Sequence, residues 1–312
     1  MKYLIKRLLL FIPTLLGVTT LVFMILHLTP GSPATQVLGE FATPESIKAF
    51  EHRIGWDRPL IEQYIDFVTD YATGDFGESY NTGEAVFDQI ALELPYTLQL
   101  ATMGMVIAII IGVGVGTLSA IKPNSILDNL SRIFALLGLS TPVFWSGVLL
   151  IIIFGLKLDW FPIIGAGSTD NIPDLLHRLV LPSVTVGFMQ SGVIMRMTRS
   201  SMLEVLDQEY IRTAFSKGLA DRLVYLKHAL RNAAIPIVTV IGLSFGGLLG
   251  GTVLTETVFA RHGLGDYMVD AIIWKDYPAV QGSIFTISLI FLTINLITDL
   301  IYGYLDPRIR HE

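Results

Sequence analysis

The sequence predicts an all-α, polytopic membrane protein with six transmembrane helices. Of its 312 residues, 52% are hydrophobic and only 15% are charged, with a mean hydropathy of +0.61, whereas about a quarter of the residues in a soluble domain are charged. A helix needs roughly 20 apolar residues to cross a bilayer, where backbone polar groups have no partners but each other. Six stretches that are nearly free of charge meet or approach that length: Leu8–Gly39, Leu94–Ile121, Ile133–Leu156, Leu179–Met195, Ala233–Thr255 and Tyr277–Thr298.

The distribution of basic residues predicts the orientation of these spans. If the amino terminus is placed inside, most of the 21 lysines and arginines fall on the cytoplasmic side, and the acidic residues collect outside. Membrane proteins show this positive-inside bias. We therefore expect both termini in the cytoplasm and a location in the cell (inner) membrane. The basic residues on the predicted cytoplasmic side are Lys2, Lys6, Arg7, Lys122, Arg132, Arg196, Arg199, Arg212, Lys217, Arg222, Lys227, Arg231, Arg308 and Arg310.

The first span is predicted over residues 8–29. Lys2, Lys6 and Arg7 precede its apolar run, as basic residues do in a secretory signal. The run is longer than the roughly 7 to 15 residues of a signal core, and further spans follow it. We therefore interpret this segment as a transmembrane helix that is retained.

The segment 30–93 is predicted to form an extracytoplasmic cap. Its stretch "TPESIKAFEHRIG" places Thr43 where it can cap a helix that starts at Pro44 and stops at Gly55. A second helix is expected from Pro59 until the glycines of "TGDFGESYNTG" interrupt it. The cap is too long and too polar to be a simple connection between spans.

Residues 94–312 are predicted to form a five-span core, so that the whole chain, 1–312, is one transmembrane domain. Glycines cluster inside the spans, in "GVGVG" from Gly112 to Gly116 and in "GLSFGGLLGG" from Gly242 to Gly251. Small residues let transmembrane helices approach closely. These glycines therefore indicate either helix packing or the lining of a permeation path.

The core contains one polar loop, 201–232, between the fourth and fifth spans. From Ser201, Leu203, Leu206, Tyr210 and Ala214 recur at helical spacing and form an apolar stripe. This amphipathic helix is expected to stop at Gly218, because glycine accepts the left-handed conformation that ends helices. A second helix is expected to begin near Asp221. On pattern alone, the loop could equally be an ordinary surface hairpin.

The chain resembles a known family over nearly its whole length. "EYIRTAFSKGLADRLVYLKHALRNAAIP" is similar to the cytoplasmic signature loop of the dipeptide, oligopeptide and nickel permeases of ATP-driven, binding-protein-dependent importers, and Gly218 matches the glycine of that signature. In this sequence Phe215 stands where the family pattern has a basic residue, and Arg231 where it has a proline. The other similar motifs are "LLGVTTLVFMILHLTPGSPA", "GDFGESY", "LPYTLQLA", "LSTPVFWSGVLLI", "MRMTRSSMLEVL", "GGLLGGTVLTETVFARHGLG", "DYPAVQG" and "DPRIR".

The resemblance implies the permease of a type I ABC importer, with 201–232 as its coupling loop. A second, homologous permease, two ABC ATPase subunits and an extracytoplasmic substrate-binding protein are the implied partners, beside the lipid bilayer and without nucleic acid or a cofactor. Di- or oligopeptides are the expected substrates, with nickel chelates or oligosaccharides as the alternative. The implied ATPase-coupling residues are Glu209, Tyr210, Arg212, Thr213, Ala214, Phe215, Lys217, Gly218 and Leu219.

Other classes of protein fit the sequence less well. No phosphate-binding G-x-x-x-x-G-K-[ST] motif is present, so the chain is not expected to hydrolyse ATP itself. "GLGD" at Gly263–Asp266 matches a motif of intramembrane aspartyl proteases, but no second aspartate lies in mid-span. A secondary transporter or channel would place ionisable residues at mid-membrane, whereas Glu256 and Asp299 lie near span ends. The chain has no cysteine and its histidines are scattered, with His27 expected at the membrane interface, so no metal site is predicted.

Overall fold

A computed structural model describes residues 2–29, 31–39, 42–167 and 170–305. These residues form helices and loops, and the one strand-like pairing among them is an isolated bridge between Glu78 and Ala85. The predicted all-α class is confirmed. The motif "DPRIR" and the terminal arginines lie outside the described residues. The helices are α1 Lys2–Leu28, α2 Pro33–Leu38, α3 Pro44–Arg53, α4 Leu60–Thr73, α5 Val86–Ile121, α6 Ile126–Ser140, α7 Val143–Leu150, α8 Ile172–Leu206, α9 Glu209–Ser216, α10 Asp221–Leu223, α11 Leu230–Val258, α12 Leu264–Ile273 and α13 Tyr277–Leu305.

Two π-helical segments extend these helices. Ile151–Lys157 continues α7, and Val224–Ala229 joins α10 to α11. The second join makes one helix of Asp221–Val258, which is long and apolar enough to cross a membrane. A π-helical segment therefore lies where the fifth span leaves the polar loop.

Five continuous helices are long and apolar enough to cross a membrane, and a bent pair of helices makes six if the pair is one span. The continuous helices are Leu9–Leu28, Val86–Ile121, Ile172–Leu206, Asp221–Val258 and Tyr277–Ile301. The bent pair corresponds to the third predicted span and consists of Ile126–Ser140 and Val143–Lys157, which meet at 108°.

The third span is therefore bent, and the prediction of one continuous helix over 133–156 is wrong. Thr141 adopts an extended conformation, with φ −92° and ψ 125°. Pro142 follows it, and a proline disfavours the helical conformation of the residue before it and lacks the N–H that a continuing helix would use. The chain turns sharply at that dipeptide.

Several other helices are longer than the predicted spans, because hydropathy detects the part of a helix that lies in lipid and not its ends. The second span begins at Val86 instead of Leu94, so the end of the predicted cap belongs to α5. The fourth span is a 35-residue helix where 179–195 was predicted. Its start is fixed by the side chain of Asn171, which accepts a hydrogen bond from the Asp174 N–H.

The core forms where α5 lies against α8. A Cβ atom added at Gly104 would lie 2.4 Å from Val186 Cγ2, and one added at Gly112 would lie 2.7 Å from Ile194 Cβ. The backbones can approach this closely only because those positions lack side chains. Helix packing is therefore the role of Gly112 within "GVGVG", whereas Gly114 faces open space.

The cap has the two predicted helices and is tied to the core by aromatic and polar contacts. Thr43 caps α3 by accepting a hydrogen bond from the Ser46 N–H, as expected. The His27 ring of α1 stacks on Trp56 of the cap with 4.6 Å between centroids, and its Nε2 lies 3.0 Å from Gln63 Oε1. His27 is thus a link between the first span and the cap.

A second link joins the cap to the start of α13. The Ser79 hydroxyl donates to Asp276 Oδ2 at 2.5 Å, and the Tyr80 N–H donates to Asp276 Oδ1 at 3.1 Å. Asp276 is only 3% exposed. The motifs "GDFGESY" and "DYPAVQG" therefore meet through this carboxylate, although nearly 200 residues separate them in the chain.

Candidate functional site

The polar loop contains a separate short helix, α9, which follows α8. The predicted single helix from Ser201 to Gly218 is wrong, since α8 ends at Leu206 and α9 starts at Glu209. Between them Gln208 is extended, with ψ 144°. The Arg212 guanidinium donates to Asp207 Oδ1 at 2.9 Å across this break. The turn lets α9 leave the direction of α8.

Ile211 fixes α9 to the rest of the protein. Its side chain is fully buried in an apolar cluster with Ala120, Met202, Val224, Ala229, Ala233 and Ile237. Ala214 and Leu219 are partly buried at the edge of the same cluster. The predicted stripe omitted Ile211, although its spacing to Ala214 and Leu219 could have indicated one helical face. The loop is therefore anchored from α5, α8 and α11.

The opposite surface of α9 is open and mixed in chemistry. Tyr210 is 45% exposed and Phe215 is 37% exposed. Phe215 contacts the Tyr225 ring edge-to-face, with 5.9 Å between centroids. Seven of the nine predicted coupling residues are exposed, and they are Glu209, Tyr210, Arg212, Thr213, Phe215, Lys217 and Gly218.

Gly218 ends this surface in the predicted left-handed conformation, with φ +73°. Its N–H donates to the Phe215 carbonyl at 2.9 Å, which closes the last turn. A Cβ atom at this position would meet nothing within 4 Å. The requirement for glycine here therefore comes from the backbone conformation and not from lack of space.

A buried carboxylate, Asp128, joins three helices at the end of the core that carries α9, and the sequence analysis did not identify it. The side chain of Asp128 is fully buried, and it accepts hydrogen bonds from Arg199 Nε at 2.6 Å, Ser119 Oγ at 2.5 Å and the Asn124 N–H at 2.8 Å. These contacts join α5, α6 and α8. Because 71 positions separate Asp128 from Arg199, no local pattern could pair them. The detectable local signal was Ser125, which caps α6 through the Asp128 N–H.

A second buried carboxylate, Glu256, organises the opposite end of the core. Its Oε1 accepts from the Thr97 hydroxyl at 2.7 Å, and its Oε2 accepts from the N–H groups of Gly265 at 2.8 Å and Asp266 at 3.3 Å. Thr97 in turn accepts from the Leu264 N–H at 2.8 Å. Glu256 lies near a span end, as predicted, and its polar surroundings are supplied by the protein, because the residue is completely buried.

The glycines of "GLGD" make room for that carboxylate. A Cβ atom at Gly263 would lie 2.3 Å from Glu256 Cδ, and one at Gly265 would lie 2.7 Å from its Oε2. Asp266, the aspartate of the protease-like motif, binds Glu256 through its backbone N–H. Burial raises the pKa of the Asp266 carboxyl, with a further contribution from Asp270. The motif therefore has a structural explanation.

No metal centre accompanies these carboxylates in the part of the chain that the structure describes. Groups of three or more histidine, aspartate or glutamate side chains that could hold an ion are absent from it.

Two family models match the sequence. The model described as "Binding-protein-dependent transport system inner membrane component" matches residues 108–311. The model of the N-terminal part of such membrane components matches residues 1–101. Together they cover the spans, the cap and the polar loop.

Relatives in several bacteria match the chain from end to end. The dipeptide transport system permease protein DppB of Alkalihalophilus pseudofirmus is 42% identical, over 100% of both chains. The di/tripeptide transport system permease protein DppB of Pseudomonas aeruginosa is 39% identical, over 100% of this chain and 99% of the relative. The glutathione transport system permease protein GsiC of Escherichia coli K12 is 41% identical, over 100% of both chains.

Solved structures share the fold at lower identity. A chain of the inward-facing MetNI methionine ABC transporter matches with a TM-score of 0.57 and 19% identity, covering 70% of this chain and 96% of that one. An amino acid ABC transporter crystallised with histidines gives a TM-score of 0.51 at 14% identity, with 70% and 94% covered. The fold is that of a type I importer permease. The chain belongs to the inner membrane components of binding-protein-dependent transport systems, as a multi-pass permease subunit of an ABC importer and not as an enzyme.

Proposed function

We propose that this permease carries di- or oligopeptides into the cell, as one half of the translocation path. The observation that supports this most is identity of 39–42%, over the full length, to relatives named for dipeptide, di/tripeptide and glutathione transport. All three solutes are short peptides. Nickel chelates and oligosaccharides are the alternative substrates of the same kind of importer, and no observation on this chain favours them.

The exposed side of α9 is the proposed contact for a cytoplasmic ATPase subunit. Support comes from its mixture of exposed aromatic and charged side chains and from the buried anchor at Ile211. Amphipathic helices bind partner grooves with such surfaces. An anchored helix also transmits displacement to the spans, whereas a flexible loop would absorb it. Two ATPase subunits and a second, homologous permease would complete the importer.

The cap, 30–93, is the proposed contact for the extracytoplasmic substrate-binding protein. It is the largest segment between spans, and the links at His27 and Asp276 connect it directly to α1 and α13. A partner that binds the cap can therefore act on two spans at once. We propose that the whole chain is one permease domain, in which the cap is inserted between the first span and the five-span core.

The transport experiment uses the permease with its partner permease, ATPases and binding protein, reconstituted in proteoliposomes. We expect a binding protein loaded with a dipeptide to stimulate ATP hydrolysis and uptake of the labelled dipeptide. Glutathione, a nickel chelate and an oligosaccharide are offered in parallel, and a binding protein without solute is the control. Uptake of a chelate or sugar in place of every peptide would contradict the proposed substrate while leaving the permease assignment unaffected.

Both termini and α9 are proposed to lie in the cytoplasm. The chain has no native cysteine, so a single cysteine at Ser46 in the cap or Ser216 in α9 is labelled without background. In intact spheroplasts we expect a membrane-impermeant maleimide to label Ser46→Cys and to reach Ser216→Cys only after permeabilisation. The reverse pattern would show that the orientation is inverted.

A further inference from the structure

A basic pocket of about 400 Å³ lies between α6 and α8. Three arginines line it, Arg132 from α6 and Arg196 and Arg199 from α8. Leu136 and Leu139 form the apolar part of the wall. None of the residues that line the pocket is acidic. The pocket is therefore suited to a ligand that is both anionic and apolar.

The positive charge of the pocket is only partly neutralised by the protein. Buried Asp128 pairs with Arg199 at 2.6 Å and with Arg132 at 3.4 Å, so that one carboxylate serves two guanidinium groups. Arg196 is exposed on a membrane-spanning helix and has no ion pair within the described ranges. Its exposed guanidinium lies near the predicted cytoplasmic end of α8, where lipid headgroups also lie. It can therefore donate to an anionic headgroup without losing a protein partner.

The order of the side chains along the helices defines the polarity of the ligand. α6 starts beside Asp128, passes Arg132 and then reaches Leu136 and Leu139. Because Gly192 of α8 lies against Ala135, the leucines lie nearer the middle of α8 than its arginines do. Leu136 is 65% exposed and Leu139 is 39% exposed. The ion pair of Arg199 with Asp128 places the α8 arginines at the charged end. A phospholipid has the same order, with its phosphate at the surface and its chains inside.

We propose that this pocket binds an anionic phospholipid, such as phosphatidylglycerol. Arg196 and the free N–H groups of Arg132 donate to the phosphate oxygens, and an acyl chain lies against Leu136 and Leu139. Basic pockets between spans bind anionic lipid headgroups in this way. Asp128 holds Arg199 in place and so keeps the site assembled without a ligand. The site does not depend on which solute the importer carries.

The test is lipid retention by the purified importer, taken from nanodiscs that contain phosphatidylcholine and phosphatidylglycerol and measured by native mass spectrometry. We expect the unmodified importer to retain phosphatidylglycerol preferentially, and Arg196→Gln to lower that retention about five-fold. Arg196→Lys should keep most of it, because the charge remains. Lys157→Gln, which removes the same charge at the other end of the bent pair α6–α7, is the matched control and should retain as much as the unmodified importer.

Arg132→Gln is tested as a second variant. It removes a different arginine of the pocket, so the proposal can still be tested if Arg196→Gln does not fold. Equal retention of phosphatidylglycerol by both variants and the unmodified importer would overturn the proposal. Unchanged lipid retention in both variants, together with lower peptide uptake in proteoliposomes, would also overturn it, because the arginines would then serve the carboxylate of the solute. A cross-link from position 196 to the second permease would show that a protein surface covers the pocket, and this would also overturn the proposal.

Discussion

Phe215→Asp is expected to remove the ATPase subunits from the purified importer and to abolish uptake. Phe215 is an aromatic side chain on the exposed surface of α9, held edge-to-face against Tyr225. Aromatic anchors of this type contribute about 2 kcal/mol or more at protein interfaces, so their loss weakens binding by roughly 30-fold. A buried carboxylate without a partner would add to that loss. The measurement is the amount of ATPase that co-purifies with each permease variant.

The matched variant is Phe215→Leu, which keeps an apolar side chain at the contact and should retain most of the ATPase. The abundance of each variant in the membrane separates weak docking from poor folding. Because Phe215 is not part of the buried cluster around Ile211, we expect normal abundance. Full ATPase retention and normal uptake in Phe215→Asp would assign α9 to an ordinary surface hairpin.

Glu256→Ala is expected to cause a large loss of stability. It leaves two buried donors, the Thr97 hydroxyl and the Gly265 N–H, and one partly buried donor, the Asp266 N–H, without their acceptor. Each buried donor that loses its partner costs about 1–3 kcal/mol, so the total is several kcal/mol. The measurement is the thermal unfolding midpoint of the detergent-solubilised permease, followed by size-exclusion chromatography after heating.

The neighbour Thr97 provides the controls for this prediction. Thr97→Ser keeps the hydroxyl that joins Glu256 to the Leu264 N–H, and it should unfold close to the unmodified temperature. Thr97→Val has nearly the same shape but no hydroxyl, and it should fall between the serine variant and Glu256→Ala. If Glu256→Ala is as stable as Thr97→Ser, the hydrogen bonds around the carboxylate do not hold this end of the core together.

The parts of the fold that follow from local chemistry could be predicted from the sequence. Apolar runs gave the spans, Thr43 and Pro44 marked the first cap helix, and Gly218 marked the end of the α9 surface. Each of these signals lies within a few residues of the structure it specifies. The bend at Thr141–Pro142 was also visible locally, but the hydropathy of the whole run concealed it.

The polar contacts inside the core could not be predicted, because they join residues far apart in the chain. Asp128 looks like an ordinary residue in the first turn of a helix until Arg199 is placed beside it. Glu256 lies at a span end that could equally face water, and only the folded "GLGD" turn shows that it does not. Within α9, buried Ile211 lies between exposed neighbours in the sequence. Only the packing in the folded protein shows that Ile211 anchors the helix while its neighbours form the contact surface.

The π-helical segment Val224–Ala229 has a consequence for the direction in which α9 faces. A π-helical turn is closed by hydrogen bonds five residues apart, one more than in an α-helix. Each extra residue advances the phase of a helix by about 100°. The segment thus sets an angular offset between α9 and α11, which is the rest of the fifth span. Consider two permeases with the same α9 surface, one with a π-helical and one with an α-helical segment at this point. Their α9 surfaces would face different directions around the axis of the fifth span.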